Sequence, residues 1–350
     1  MASIKELEQW VLFGETLEFV HEITVDDKLI ILWIKEQLPK TTTSNRSITP
    51  AGRLKASKLW NNALLPKIGL SLLDDDQEAS LSIMNHRMQW LVLRTIDQFS
   101  NSISQELWWI TPTILAFLDH SKISVKLLGV EMLSHFLNSV PQQVFVNAGL
   151  FTVYYEALRN LCFYLPPAVD QPSVLKIMQK VYPCMVALIS KSVHPENHFL
   201  EFFSDIILKA TIPRIYDLGP QLSVYVLKFL RTEYLTKRKN EVFINVQRLI
   251  YVIGNYFVQN PFLTTDISLL QETQKILKVL LHLDSQYKYD YLAMIIIMWE
   301  KCMKEGQADQ HETLHKLYLE LSKKAFFTQE ERTALIDSRQ DLDLKVLLTQ

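Results

Sequence analysis

Apolar residues recur at helical spacing along nearly the whole chain, and no competing pattern does. Leu7, Trp10, Val11, Phe13 and Leu17 set the rhythm at the N-terminus, behind a possible capping box of Ser3 and Glu6. The same period continues through segments near 26–38, 51–73, from Asp74–Asp76 to about Gln98, 105–119, 122–139, 142–163, 172–192, 196–210 and 220–236. It resumes near 240–258, 267–283, 288–304, 310–323 and 328–336. Short junctions carrying Pro, Asp or Asn separate these segments. No alternating strand pattern of useful length stands out. Only 8 glycines and 13 prolines occur in 350 residues, about half of the roughly 12% that average usage would supply. Strand-rich folds need many Gly-bearing turns, whereas helix hairpins need few. The predicted fold class is therefore all-α.

At 350 residues the chain exceeds the roughly 250–300 residues at which a single core stops growing. Two domains or one elongated array are the options. Two stretches favour an array. Leu64–Ile96 contains LLPKIGLSLLDD followed by a helix, and Ile114–Val140 contains ILAFLDHSKISVKLLGVEMLSHFL. Each is an apolar helix ending in Leu-Leu-Asp or Phe-Leu-Asp, then a polar turn, then a second amphipathic helix. Asp74 and Asp119 stand 45 residues apart, within the period of HEAT and armadillo units. In such arrays one helix pair cannot bury its apolar face alone, so neighbours must stack. The expected architecture is a HEAT/armadillo-like helical-repeat superhelix, an α-solenoid, over 51–350. N-terminal helices and a polar loop, PKTTTSNRSITP, occupy 1–50. Beyond about residue 200 the helices pair but no repeat boundary is legible.

Composition excludes several function classes. A net charge of −2 gives no basic face for nucleic acid. The longest basic run, Lys237-Arg238-Lys239, reads as a solvated loop between helices. Cys162, Cys184 and Cys302 are scattered and odd in number, and no CxxC pair exists. They read as reduced core thiols rather than a zinc cluster or a disulfide framework. The polar stretch Met1–Glu8 lacks a signal-peptide pattern. The longest apolar run, Tyr291–Trp299, is about half of the ~20 residues a membrane span needs. Cytoplasmic and nuclear localisation is expected, with no membrane and no nucleic-acid partner. GxSxG, GxGxxG and GxxxxGK[ST] are absent, so no nucleotide or other cofactor is expected and no catalytic residue is assigned.

One motif carries chemistry. His311-Glu312-Thr313-Leu314-His315 fits H-E-x-x-H, in which two histidines at i and i+4 face a Zn²⁺ and the glutamate activates water. The alternative function it raises is a zinc hydrolase using His311, Glu312 and His315. Against it stand the charged Lys316 after the second histidine, the polar segment Glu305–Gln310, and the lack of a clear third ligand. The plain reading is a solvent-facing histidine pair. His194 and His198 share the spacing, but Pro195 between them marks a helix start. Trp108 and Trp109 are adjacent. They fit a broad apolar face between helix layers, or one of them is an exposed partner-binding anchor, since Trp is enriched at hot spots. Met294–Trp299 is apolar all round and is expected to be buried on several sides.

A block in the middle of the chain resembles a known family. It runs Val146-Asn147-Ala148-Gly149-Leu150, then Val153-Tyr154-Tyr155-Glu156-Ala157-Leu158, then Phe163-Tyr164-Leu165-Pro166-Pro167, then Val181-Tyr182-Pro183. This order is similar to the central block of the Tti-two family (TEL-two-interacting protein 2). The similarity extends over about 60–305, and the N-terminal helices match nothing in it. The resemblance implies a non-enzymatic scaffold subunit of the TTT co-chaperone complex with Tti-one-like and Tel-two-like partners. It further implies work with HSP-ninety and R2TP in the maturation of phosphatidylinositol-3-kinase-related kinases of the TOR, ATM and ATR type. The rival reading is another HEAT-repeat scaffold, of the transport-receptor or phosphatase-scaffold kind.

Overall fold

The computed structural model describes residues 89–90, 92–97 and 102–348, without the side chain of Trp108. The helices expected before residue 89, the 1–50 segment and the Asp74 turn lie outside the described residues. Among the described residues all regular structure is helical. The helices are α1 (Ile103–Leu118), α2 (Ile123–Ser139), α3 (Gln142–Asn147), α4 (Leu150–Leu161) and α5 (Gln171–Ser190). Next come α6 (195–215), α7 (220–235) and α8 (239–258, interrupted at Asn245). The last are α9 (Ile267–Leu283), α10 (Lys288–Lys304), α11 (His311–Lys324), α12 (Gln329–Ser338) and α13 (Leu344–Leu348). The chain forms two compact units. One holds the described residues up to Cys162 together with Ile177–Pro195, the other Phe163–Lys176 together with the described residues from Glu196 onward.

The helix expected at 142–163 is two helices. Gly149 sits between them at φ 64°, a left-handed conformation that glycine adopts without the Cβ penalty. A Cβ there would meet nothing within 4 Å, so the backbone angle alone selects glycine. The short helix α13 was not expected. Its Leu344, Leu347 and Leu348 are buried, and five residues form a helix only because tertiary packing holds them.

In the first unit, α1 and α2 form the hairpin read from the Phe-Leu-Asp turn. Asp119 caps α1, its N–H bonding Leu115 O at 2.9 Å. The buried Lys126 donates from Nζ to Leu118 O at 2.8 Å, which satisfies a terminal carbonyl of α1. Burial pushes the Asp119 carboxyl above its ordinary range, against the opposing pull of Lys126. The two helices approach closely at Gly129, where a Cβ would stand 2.8 Å from Leu118 N and 2.9 Å from Phe117 Cβ. Tyr154 of α4 fills the space beside them, its ring 6.0 Å from Phe136 and 6.4 Å from Phe145. Cys184 of α5 donates from Sγ to Val130 O at 3.7 Å, and Lys180 pairs with Glu131.

In the second unit several helices pack on the one two places further along. α7 packs on α9, α9 on α11, α11 on α13, and α8 on α10. Polar links add to these contacts, and five of them share a similar sequence offset. Asn260 Nδ2 donates to Tyr216 O. Lys301 Nζ donates to Asn260 O at 2.9 Å, and Trp299 Nε1 to Leu342 O at 2.9 Å. Arg231 pairs with Glu272 at 3.0 Å, and Lys278 with Glu320. The separations all fall between 41 and 44 residues. Other polar links in this unit span different distances along the chain: 32 residues between His315 Nδ1 and Leu347 O, 35 from Tyr234 to Phe199 O, and 47 from Gln171 to Leu218 O. The 237–239 run departs from a solvated loop at Arg238, whose guanidinium lies 3.8 Å from the centroid of the Phe199 ring and bonds Glu233. Stacking on an aromatic face offsets part of the cost of leaving that weakly hydrated cation half-buried.

Glu272 gives a pH test of this unit. It is 3% exposed. Burial pushes its carboxyl up, but hydrogen bonds and charge from Lys275 and Arg231 outweigh that and hold it below its ordinary value. A group depressed in the folded state stabilises above its unfolded pKa, near 4.3, and loses that contribution as pH falls through the folded value. Glu272→Gln is expected to cost about 1–2 kcal/mol at pH 7. The difference from wild type should shrink as pH falls below the unfolded value of about 4.3 and through the lower folded one, as read by urea unfolding at stepped pH. A constant difference across that range would mean the ion pairs contribute nothing.

Candidate interaction surface

The HETLH residues do not converge. All three lie in the first turns of α11, so the i, i+4 spacing does place both histidines on one side of the helix. Tertiary neighbours then separate their roles. The His311 ring stacks on Trp299, with centroids 4.4 Å apart, and its buried Nε2 has no hydrogen-bond partner among the described residues. His315 Nδ1 lies 3.0 Å from Leu347 O, tying α11 to α13. The Glu312 side chain is 76% exposed and pairs with Lys316 at 2.6 Å, which holds its carboxyl below the ordinary range. Among the described residues no group of three or more His, Cys, Asp or Glu side chains is placed to hold a metal ion. The plain reading of a solvent-facing pair is also corrected, because both rings are occupied by packing and backbone contacts.

Trp109 is fully buried, at 0% exposure, and its Nε1 donates to Glu106 at 2.6 Å. A ring with no exposed surface cannot anchor a partner, so Trp109 is withdrawn as a binding residue. The side chain of Trp108 lies outside the described residues. In the Met294–Trp299 run, Met294, Ile295, Met298 and Trp299 are buried, while Ile296 and Ile297 are half-buried. Cys162, Cys184 and Cys302 are free and buried. Burial raises all three thiols, Cys302 to about 11 and Cys184 to about 12, so the nucleophilic thiolate is scarce at neutral pH.

Among the described residues, the second unit carries surface grooves, two of them between packed helices. One, of about 440 Å³, lies between α9 and α11. Lys275, Lys278, Lys316 and Lys323 line it, but Glu272, Glu320 and Glu312 pair with the first three. The other, of about 400 Å³, lies between α8 and α10. Ile250, Gly254, Met294 and Ile297 give it apolar lining, Tyr251 and Tyr287 aromatic rings, and Asp290 a carboxylate. Tyr251 is 65% exposed. The sequence reading missed this groove because Tyr251 stands inside an apolar helical run and reads as core. The available signal was the polar Gln247 and Asn255, eight residues apart on the same helix, with Gln259 four further on at its C-cap.

Among the described residues no helix is long and apolar enough to cross a membrane. No solved structure matches the chain significantly. The TEL2-interacting protein 2 of Saccharomyces cerevisiae is 29% identical to it, over 71% of this chain and 64% of the yeast protein. The chain thus spans just under two thirds of that relative. The profile of the Tti2 family matches residues 3–265. That match extends the sequence resemblance through the N-terminal segment, which by sequence resembled nothing, and ends some 40 residues before the expected limit near 305. A match over 3–265 of 350 residues shows that the chain belongs to the Tti2 family.

Proposed function

We propose that this chain is a non-enzymatic scaffold subunit of the TTT co-chaperone complex, binding Tti-one-like and Tel-two-like partners. In this reading it works in the cytoplasm and nucleus. With HSP-ninety and R2TP it supports maturation of phosphatidylinositol-3-kinase-related kinases of the TOR, ATM and ATR type. The observation that carries the reading is membership of the Tti2 family, supported by a relative whose name describes a TEL2-interacting protein. The proposed architecture is a HEAT-like array. The 41–44-residue offset of the inter-helix links supports it, because HEAT and armadillo units repeat at about 40–47 residues. So does the packing of α7 on α9, α9 on α11, α11 on α13 and α8 on α10, as in stacked hairpins. Arrays of this kind present long surfaces suited to proteins.

Affinity purification of the tagged full chain from its native cells, followed by mass spectrometry at moderate salt, tests this reading. The expected result is stoichiometric recovery of a larger Tti-one-like subunit and a Tel-two-like subunit, with kinases of the TOR/ATM class at lower yield. Recovery of a different stable assembly without those two subunits would overturn the assignment.

A further inference from the structure

We infer that the groove between α8 and α10 is a docking site for a protein segment that inserts a lysine or arginine flanked by apolar residues. The partner subunit of the proposed complex supplies this segment, so the inference rests on that reading. Three features of the groove point to this occupant. Its lining of Ile250, Gly254, Met294 and Ile297 offers apolar surface along which the methylene stem of a long cationic side chain can lie. Tyr251 and Tyr287 present ring surface, which attracts a cation by its quadrupole. The exposed Asp290 carboxylate has no hydrogen-bond or ion-pair partner among the described residues and is the one charged group lining the groove. A carboxylate beside an apolar, tyrosine-rimmed trough is complementary to a basic head on an apolar stem.

Gly254 adds a steric argument. A Cβ at that position would meet only Met294, at 3.7 Å from Sδ and 3.8 Å from Cγ. Packing between α8 and α10 therefore does not require glycine there. What glycine does is leave the lining open. The neighbouring lysine groove carries no comparable argument, since three of its four lysines are already matched by glutamates.

The test uses the full chain co-expressed with its Tti-one-like partner. Tyr251→Ala and Asp290→Lys are read by co-purification, with Lys316→Glu in the other groove as control. Both test positions are exposed, but Asp290 lies in the first turn of α10, where a lysine opposes the helix dipole, so Asp290→Asn is added as a milder variant and thermal unfolding of each variant separates lost binding from lost fold. The expected result is roughly tenfold or weaker association for Asp290→Lys, from loss of a charge-assisted contact and like-charge repulsion, with the control unchanged. A photo-crosslinker in place of Tyr251 should mark a partner peptide that contains Lys or Arg among apolar residues. Wild-type association of all the groove variants, or crosslinks only to peptides without a basic residue, would overturn the docking site and leave the complex assignment standing. Failure of the wild-type chain itself to recover the subunit would overturn the assignment, and this inference with it.

Discussion

Trp299→Ala is expected to lower the stability of the second unit by about 3–5 kcal/mol, the range for removing a large buried aromatic. Against a typical total of 5–15 kcal/mol, that is a large part of what holds a domain together. Trp299 is 2% exposed and does three things at once. It fills space at the centre of α10, stacks on the His311 ring at 4.4 Å, and donates from Nε1 to Leu342 O at 2.9 Å. Alanine removes the ring and leaves His311 and the segment before α13 without their support. The measurement is thermal unfolding together with amide hydrogen exchange. A fall on the order of 10 °C is expected, with exchange rising first across 340–348. Trp299→Phe separates the causes. It restores most of the apolar contact but not the donor, so it should recover more than half of the loss while exchange near Leu342 stays fast. Equal losses for both variants would place the whole effect in the hydrogen bond.

Gly129→Val is the second expected large effect, and it acts by crowding rather than by a void. The Cβ of any residue at 129 would lie 2.8 Å from Leu118 N and 2.9 Å from Phe117 Cβ. These are a backbone atom and the first atom of a side chain, so neither can rotate away. α1 and α2 would have to separate, which breaks the Lys126-to-Leu118 carbonyl bond and loosens the hairpin. Overpacking of a tight core costs about 1–3 kcal/mol, and the loss of that buried bond adds roughly 1 kcal/mol. Even Gly129→Ala should destabilise, although alanine is the better helix former by up to about 1 kcal/mol. Gly254→Ala makes the control. Its Cβ would meet Met294 Sδ at 3.7 Å, an ordinary contact, so stability should hold or rise. Urea unfolding of the two alanine variants side by side checks the argument. Identical shifts would mean that the close approach at Gly129 relaxes freely.

The limits of most helices were legible in the sequence because they are set locally. The 3.6-residue rhythm of apolar positions and the Pro, Asp and Asn punctuation depend only on neighbours within one turn. They placed α1, α2, α5, α7, α9 and α10 within a few residues of their observed ends. The block from Gly149 to Pro183 was likewise enough to suggest the family that the comparison shows. Gly149 was visible too, but its effect was misjudged. A left-handed angle between two apolar segments breaks a helix that periodicity alone would join.

Tertiary structure decided what depends on partners far along the chain. His311 and His315 share one side of a helix by spacing, yet Trp299 and the Leu347 carbonyl determine what each ring does, and neither follows from an H-E-x-x-H string. Arg238 belongs to a basic run in sequence and to the Phe199 ring in space. Trp109 is closed off by helices whose identity local patterning does not specify. The 41–44-residue links use Asn260, Lys301, Arg231 and Glu272, ordinary residues that no motif distinguishes. Helix formation is a short-range property of the backbone, so the sequence by itself determined it. Burial, ion pairing and surface grooves arise from the packing of one helix against another some 40 residues away, and only the folded chain brings those groups together.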